Sequence, residues 1–239
     1  MRRTHELHAA RPLPLPTGDD HHMRMEATSK LADALQRRRI AVPAWQIRYD
    51  VLVDRLRRNG VGASAPQVGD RFPDFALPDA NGRYRSLYSL LASGPLVLSF
   101  NRGSWCDYCR HELEAWSTAL PELAAMGGAF ASITAEIGGR AQVLAAIFVD
   151  PMTMFCDVDH GVSLEVGLAF HLDDTILRDY RAHGIDLDQA YGSSAGLLPI
   201  PATFLIASDG TVIFAFVDPD FRNRADPSDV LAALAASGG

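Results

Sequence analysis

The chain is poor in cysteine, in long apolar runs and in positive charge, and each shortage excludes a class of protein. Three cysteines among 239 residues are too few for a disulfide framework. No run of about eighteen apolar residues occurs, so no membrane-spanning helix is predicted and no membrane partner is expected. Past Met1-Arg2-Arg3, the polar residues His5, Glu6, His8 and Arg11 interrupt every candidate apolar core, so no secretory leader is expected. The 22 Lys and Arg are outnumbered by 29 Asp and Glu, for a net charge of −7, which argues against a nucleic-acid surface. What is present, 48% hydrophobic and 21% charged residues, is the balance of a soluble globular protein. Sparse cysteines in such a chain fit a reducing cytosol, where they persist as catalysts or sensors, so a cytoplasmic location is expected.

The chain divides into three parts. Residues 1–25 are polar and rich in Pro and His, with Pro12, Pro14 and Pro16 discouraging regular structure, and are read as a disordered arm. Residues 26–64 read as a helical extension and linker. A first helix spans Glu26–Arg39 and a second runs from Pro43 to a stop at Gly60. Their amphipathic spacing is read as packing or homodimer contact, without a part in the chemistry. From residue 65 to 239, short strands and helices alternate. Strands are expected at Phe72–Pro78, Leu96–Phe100, Ala129–Thr134 and Thr153–Asp157, and helices at Leu87–Ala92, Gln142–Ile147, Val162–Phe170 and Leu177–His183. Thr203–Ile206 and Thr211–Phe216 flank Ser208-Asp209-Gly210, a hairpin signal, and a last helix is capped by Asp226 or Ser228. The pattern predicts an α/β fold with a mixed central sheet flanked by helices.

The segment Trp105-Cys106-Asp107-Tyr108-Cys109 carries the chemistry. It follows a predicted buried strand and opens a helix whose apolar residues Leu113, Trp116, Leu120 and Leu123 recur at helical spacing. Orphan N–H groups and the positive end of the helix dipole favour a thiolate there. Cysteines three apart on a helical turn are also close enough to form a disulfide. Two incidental buried cysteines remain an alternative. A metal site would need His111, Cys156 or His160 to complete it, and no second CxxC supports one. Arg110, not His, follows the second cysteine, so haem attachment is excluded. Cys106 precedes the helix and is expected to be the more exposed nucleophile, with Cys109 as its partner. Arg102 is a candidate to stabilise a thiolate or orient an oxygen, and Trp105 to wall the site. Glu112 reads as a helix-dipole partner, Cys156 as buried and inert. Asp107, a carboxylate between the thiols, is expected to oppose thiolate formation.

Several segments resemble one known group. Gly69-Asp70-Arg71-Phe72-Pro73-Asp74-Phe75-Ala76-Leu77 looks like the opening motif of peroxiredoxins. Phe100-Asn101-Arg102-Gly103-Ser104-Trp105-Cys106-Asp107-Tyr108-Cys109, Leu198–Ile206 with Asp209-Gly210, and Phe216–Arg222 with Arg224 and Pro227 resemble the peroxiredoxin-like branch of the alkyl hydroperoxide reductase / thiol-specific antioxidant superfamily. The resemblance covers Gly69 to the C-terminus. It implies a thioredoxin-like fold, a hydroperoxide substrate, a thioredoxin- or glutathione-type reductant and no cofactor or metal. It also places Pro201 in the segment that faces the dithiol. The departures are specific. Standard peroxiredoxins carry Thr or Ser three residues before the reactive cysteine, a hydroxyl that helps hold the peroxide, and Pro seven before it; here those positions are Gly103 and Ser99. Phe100 stands where thioredoxins carry a buried Asp, and Ala202 where they carry a cis-proline. The expected activity is a thiol-dependent peroxidase. The alternatives are a protein disulfide oxidoreductase using the same sulfurs and a non-enzymatic redox sensor.

Overall fold

A computed structural model describes residues 18–146, 152–193 and 195–238, with side chains from Lys30 onward. The N-terminal arm expected over residues 1–25 lies largely outside them; where it is described, from Gly18, it is already helical.

Helices α1 (Gly18–Ala41) and α2 (Pro43–Arg58) come first. Pro43 opens α2 because its fixed φ suits a first turn that needs no N–H donor. Strands β1 (Ala76–Pro78) and β2 (Tyr84–Ser86) form a small hairpin. In its turn the Asp79 carboxylate accepts from the Asn81 and Arg83 N–H groups. Helix α3 (Leu87–Leu91) leads to β3 (Leu96–Phe100), α4 (Asp107–Ala125), β4 (Ala129–Thr134), α5 (Arg140–Ala146) and β5 (Thr153–Cys156). Then follow α6 (Gly161–Glu165), β6 (Ala169–His171), α7 (Asp174–Ala182), α8 (Leu187–Tyr191), β7 (Leu197–Pro199), β8 (Ala202–Ile206), β9 (Val212–Val217) and α9 (Pro227–Ser237).

The central sheet has the order β5-β4-β3-β8-β9, parallel from β3 to β5 and antiparallel through β8 and β9. The hairpin and the Asp226 cap of α9 are as the sequence predicts. Two expectations need correction: the strand expected over Phe72–Pro78 forms only at Ala76–Pro78, and Val162–Phe170 is not one helix. Gly167, at φ +70°, ends the helical turn, and the chain emerges as β6 to pair with β7. An apolar run this short reads equally well at either period, and a long-range partner decides.

The extension is docked on the domain. Leu52, Val53 and Leu56 on α2 are buried, each worth about 1.5–3 kcal/mol. Arg48 pairs with Asp179 at 2.6 Å and Arg55 with Asp173 at 2.9 Å, tying α2 to α7 and its cap. Arg222 holds Asp50 at 2.7 Å and Asp220 at 2.7 Å. The linker is also fitted closely. A Cβ on Gly62 would lie 2.7 Å from Ile200 and 2.9 Å from Val217.

Candidate active site

The chain leaves β3 at Phe100 and reaches the N-terminus of α4 in six residues, so Arg102, Trp105, Cys106 and Cys109 gather at the end of the central strand. Asn101 shapes this loop. Its side-chain carbonyl accepts the Gly103 N–H at 2.8 Å, and its amide donates to Ser132. Gly103 has φ +111°, and a Cβ there would fall 2.5 Å from the Glu136 carboxyl carbon. Threonine therefore cannot stand at this position. Glu136 fills the space and accepts from both the N–H (2.7 Å) and the hydroxyl (2.8 Å) of Ser104.

Cys106 is the N-cap residue of α4 and Cys109 lies one turn in, both as free thiols. Cys106 is the more exposed of the two, as expected, yet both are buried: it is 4% exposed and Cys109 0%. Burial pushes the Cys106 thiol up, but a hydrogen bond from Cys109 and the guanidinium groups of Arg102 and Arg224 outweigh it, lowering the thiol to about 5. Cys109 moves the opposite way, well above the ordinary thiol range, because it is buried and holds its proton toward Cys106. The dithiol is thus polarised into one thiolate and one thiol.

Two buried arginines surround it. Arg224 donates to the Cys109 sulfur at 3.4 Å and pairs with Glu112 at 2.7 Å, both side chains almost fully buried. Ser99 and Thr203 donate to the other Glu112 oxygen at 3.0 and 3.1 Å. Arg102 is also buried, yet among the described residues it has no carboxylate partner. Its Nη2 donates to the Tyr180 hydroxyl at 2.6 Å, and its guanidinium lies 4.7 Å from the Trp105 ring centre and 4.2 Å from that of Phe221. A buried cation without a counter-ion is costly, and a thiolate at Cys106 supplies the missing charge.

Of the residues singled out in the sequence, Cys106, Cys109, Arg102 and Trp105 converge. Trp105 packs 5.4 Å from Tyr180 and donates to the Tyr191 hydroxyl at 3.1 Å. Pro201 is buried just before β8, one residue beyond the Ala202–Phe100 pair and so beside the start of the loop. Cys156 ends β5 half-buried, with its thiol pushed upward by burial and by Asp79 and Glu136. Asp107 departs from expectation. Its carboxylate turns to Arg38 of α1 at 2.8 Å, partly in solvent. Asp107→Asn is therefore expected to leave the pH profile of Cys106 alkylation by iodoacetamide unchanged and to cost under about 1 kcal/mol of stability.

Sequence reasoning passed over Glu112 as a dipole partner, although its place one turn after Cys109 puts both on one helix face. Arg224 appeared only within the tail motif. Phe221 likewise lay only within the tail motif, and Glu136, Tyr49 and Tyr180 had no local signal.

Residues 68–215 match the model of the AhpC/TSA family. The chain belongs to this family. Its sheet and dithiol helix are accordingly those of a thioredoxin-like, peroxiredoxin-type thiol oxidoreductase. No curated protein matches the sequence. Similar solved structures include the peroxidoxin BcpB of Mycobacterium tuberculosis, at 22% identity and TM-score 0.56 over 72% of this chain and 97% of that one. Another is the peroxiredoxin Q of Xanthomonas campestris, at 18% identity and TM-score 0.54 over 74% and 99%. The AhpC of M. tuberculosis, at 15% identity, has TM-score 0.54 over 73% and 94%. These likenesses support the fold. Among the described residues no helix is long and apolar enough to cross a membrane.

Proposed function

We propose that this AhpC/TSA-family enzyme reduces hydroperoxides through the Cys106–Cys109 dithiol. The Cys106 thiolate attacks one peroxide oxygen; an S–O bond forms as the O–O bond breaks, and the departing hydroxide or alkoxide takes a proton from water. The resulting sulfenic acid condenses with the Cys109 thiol, releasing water and forming the disulfide. A thioredoxin- or glutathione-type thiol donor then reduces it by exchange and is itself oxidised. A reducing compartment such as the cytosol would supply that donor.

The observation that carries this reading is Arg102, a buried cation balanced by no carboxylate among the described residues and set beside the one sulfur whose ionisation is favoured. Trp105 walls the site and Pro201 backs the loop. The near-complete burial of both sulfurs favours a small substrate over a folded protein's disulfide. Reduced protein is expected to consume peroxide and form one intramolecular disulfide. Cys106→Ser should abolish consumption, and Cys109→Ser should stop at a sulfenic acid on Cys106, identified by dimedone labelling and mass. Full activity in Cys106→Ser would falsify the assignment.

A further inference from the structure

The helical extension packs aromatic side chains onto the residues that surround Arg102. Trp45 on α2 stacks on Tyr49 at 5.4 Å and packs on Tyr180 at 5.4 Å, while Tyr49 meets Phe221 edge-on at 4.9 Å. Tyr180 and Phe221 are the residues that enclose the Arg102 guanidinium. Tyr49 thus packs on the same Phe221 ring that lies against the Arg102 guanidinium. Burial, joined by Tyr180, pushes Tyr49 far above the usual phenol range, so it remains a proton-bearing donor at any working pH. The Arg102 Nε is buried with no acceptor. Buried donors are rarely left so, and one beside a reactive thiol marks a place for a substrate oxygen. Position 103 cannot offer a hydroxyl, because Glu136 occupies the space beside Gly103, and the neighbouring Ser104 hydroxyl already donates to Glu136.

We propose that α2 completes the substrate pocket: the Tyr49 hydroxyl, with Tyr180 and Arg102, holds the oxygens of a small hydroperoxide over Cys106, while the Trp45 and Tyr49 rings exclude bulky ones. This rests on the peroxidase reading above and extends it to substrate class. The hydroxyl that standard peroxiredoxins place three residues before the cysteine is supplied here from the extension. Hydrogen peroxide carries no bulk beyond its oxygens, whereas an aryl hydroperoxide must displace the Trp45 and Tyr49 rings.

The test measures oxidation rates of the reduced full-length protein with hydrogen peroxide and with cumene hydroperoxide, for wild type, Tyr49→Phe and Trp45→Ala. The pH profile of Cys106 alkylation is followed alongside as a check on the thiolate. Tyr49→Phe is expected to lose about tenfold in the hydrogen peroxide rate, the worth of one hydrogen bond to developing charge, with its alkylation profile unchanged. Trp45→Ala is expected to raise the cumene-to-hydrogen-peroxide rate ratio about tenfold. An unchanged peroxide rate in Tyr49→Phe overturns the role of the hydroxyl, and an unchanged ratio in Trp45→Ala overturns that of the rings. A wild-type protein inert to both peroxides, though alkylated at Cys106, overturns the peroxidase reading as well.

Discussion

Replacing Arg102 by methionine is expected to raise the Cys106 thiol and to slow its oxidation at pH 7. With the thiol lowered to about 5, nearly all of Cys106 is thiolate at pH 7, and the reaction rate is flat above about pH 6. Without the cation, burial acts with less opposition while the Cys109 hydrogen bond and Arg224 still favour the thiolate, so the thiol rises toward the ordinary range, where only about 3% is ionised at that pH. The wild-type pH–rate curve should thus rise below pH 6, and that of the variant at a distinctly higher pH. Methionine keeps much of the packing between Trp105 and Phe221, so the curve reports charge more than volume. Coincident curves for the two proteins would show that Arg102 does not control the thiolate.

The second large effect concerns stability. Arg224→Met leaves Glu112 buried with only Ser99 and Thr203 as donors, and breaking such a pair by removing one partner costs about 3–5 kcal/mol. The loss should depend on pH. Burial already raises Glu112, and removing the cation takes away its strongest opposing influence. A carboxyl raised in the folded state contributes stability at low pH that disappears as pH rises through its folded value. The variant should therefore be weaker at pH 8 than at pH 5 in urea unfolding. The double change Glu112→Leu with Arg224→Met removes both charges and should recover much of the loss. Equal destabilisation at both pH values, with no recovery in the double variant, would mean that the pair is not the source.

Much of the framework was legible in the chain. Strand β3 was readable because a short run of Leu, Val, Leu and Phe, broken only by Ser99, marks a strand buried on both faces. The β8–β9 hairpin was readable because Asp209-Gly210 lies between two such runs. The dithiol stood out because a strand, a break and a helix-period pattern surround it. What failed was non-local. Phe170 and Leu198 pair across 28 positions, so no window containing Phe170 reveals that it lies in a strand. Asp107 sits between two cysteines in sequence, but in the first helical turn its side chain projects from a different face and reaches Arg38. Charge in a sequence has a sign and no direction.

The extension shows the same division. Its sequence predicted two helices with apolar faces, and helices they are. Nothing in that spacing said that Trp45 and Tyr49 would lie over Tyr180 and Phe221, more than 130 and 170 positions later. By itself the sequence determined the strands of the central sheet and the dithiol helix, the family, the two sulfurs and the first arginine, because each is written within a few neighbouring residues. The tertiary structure alone decided that Glu112 neutralises Arg224 while Arg102 stays uncompensated, that Glu136 fills the space beside Gly103, and that α2 sets Trp45 and Tyr49 against Tyr180 and Phe221. Those outcomes depend on which charges share a low-dielectric interior, and that is set by packing between segments far apart in the chain.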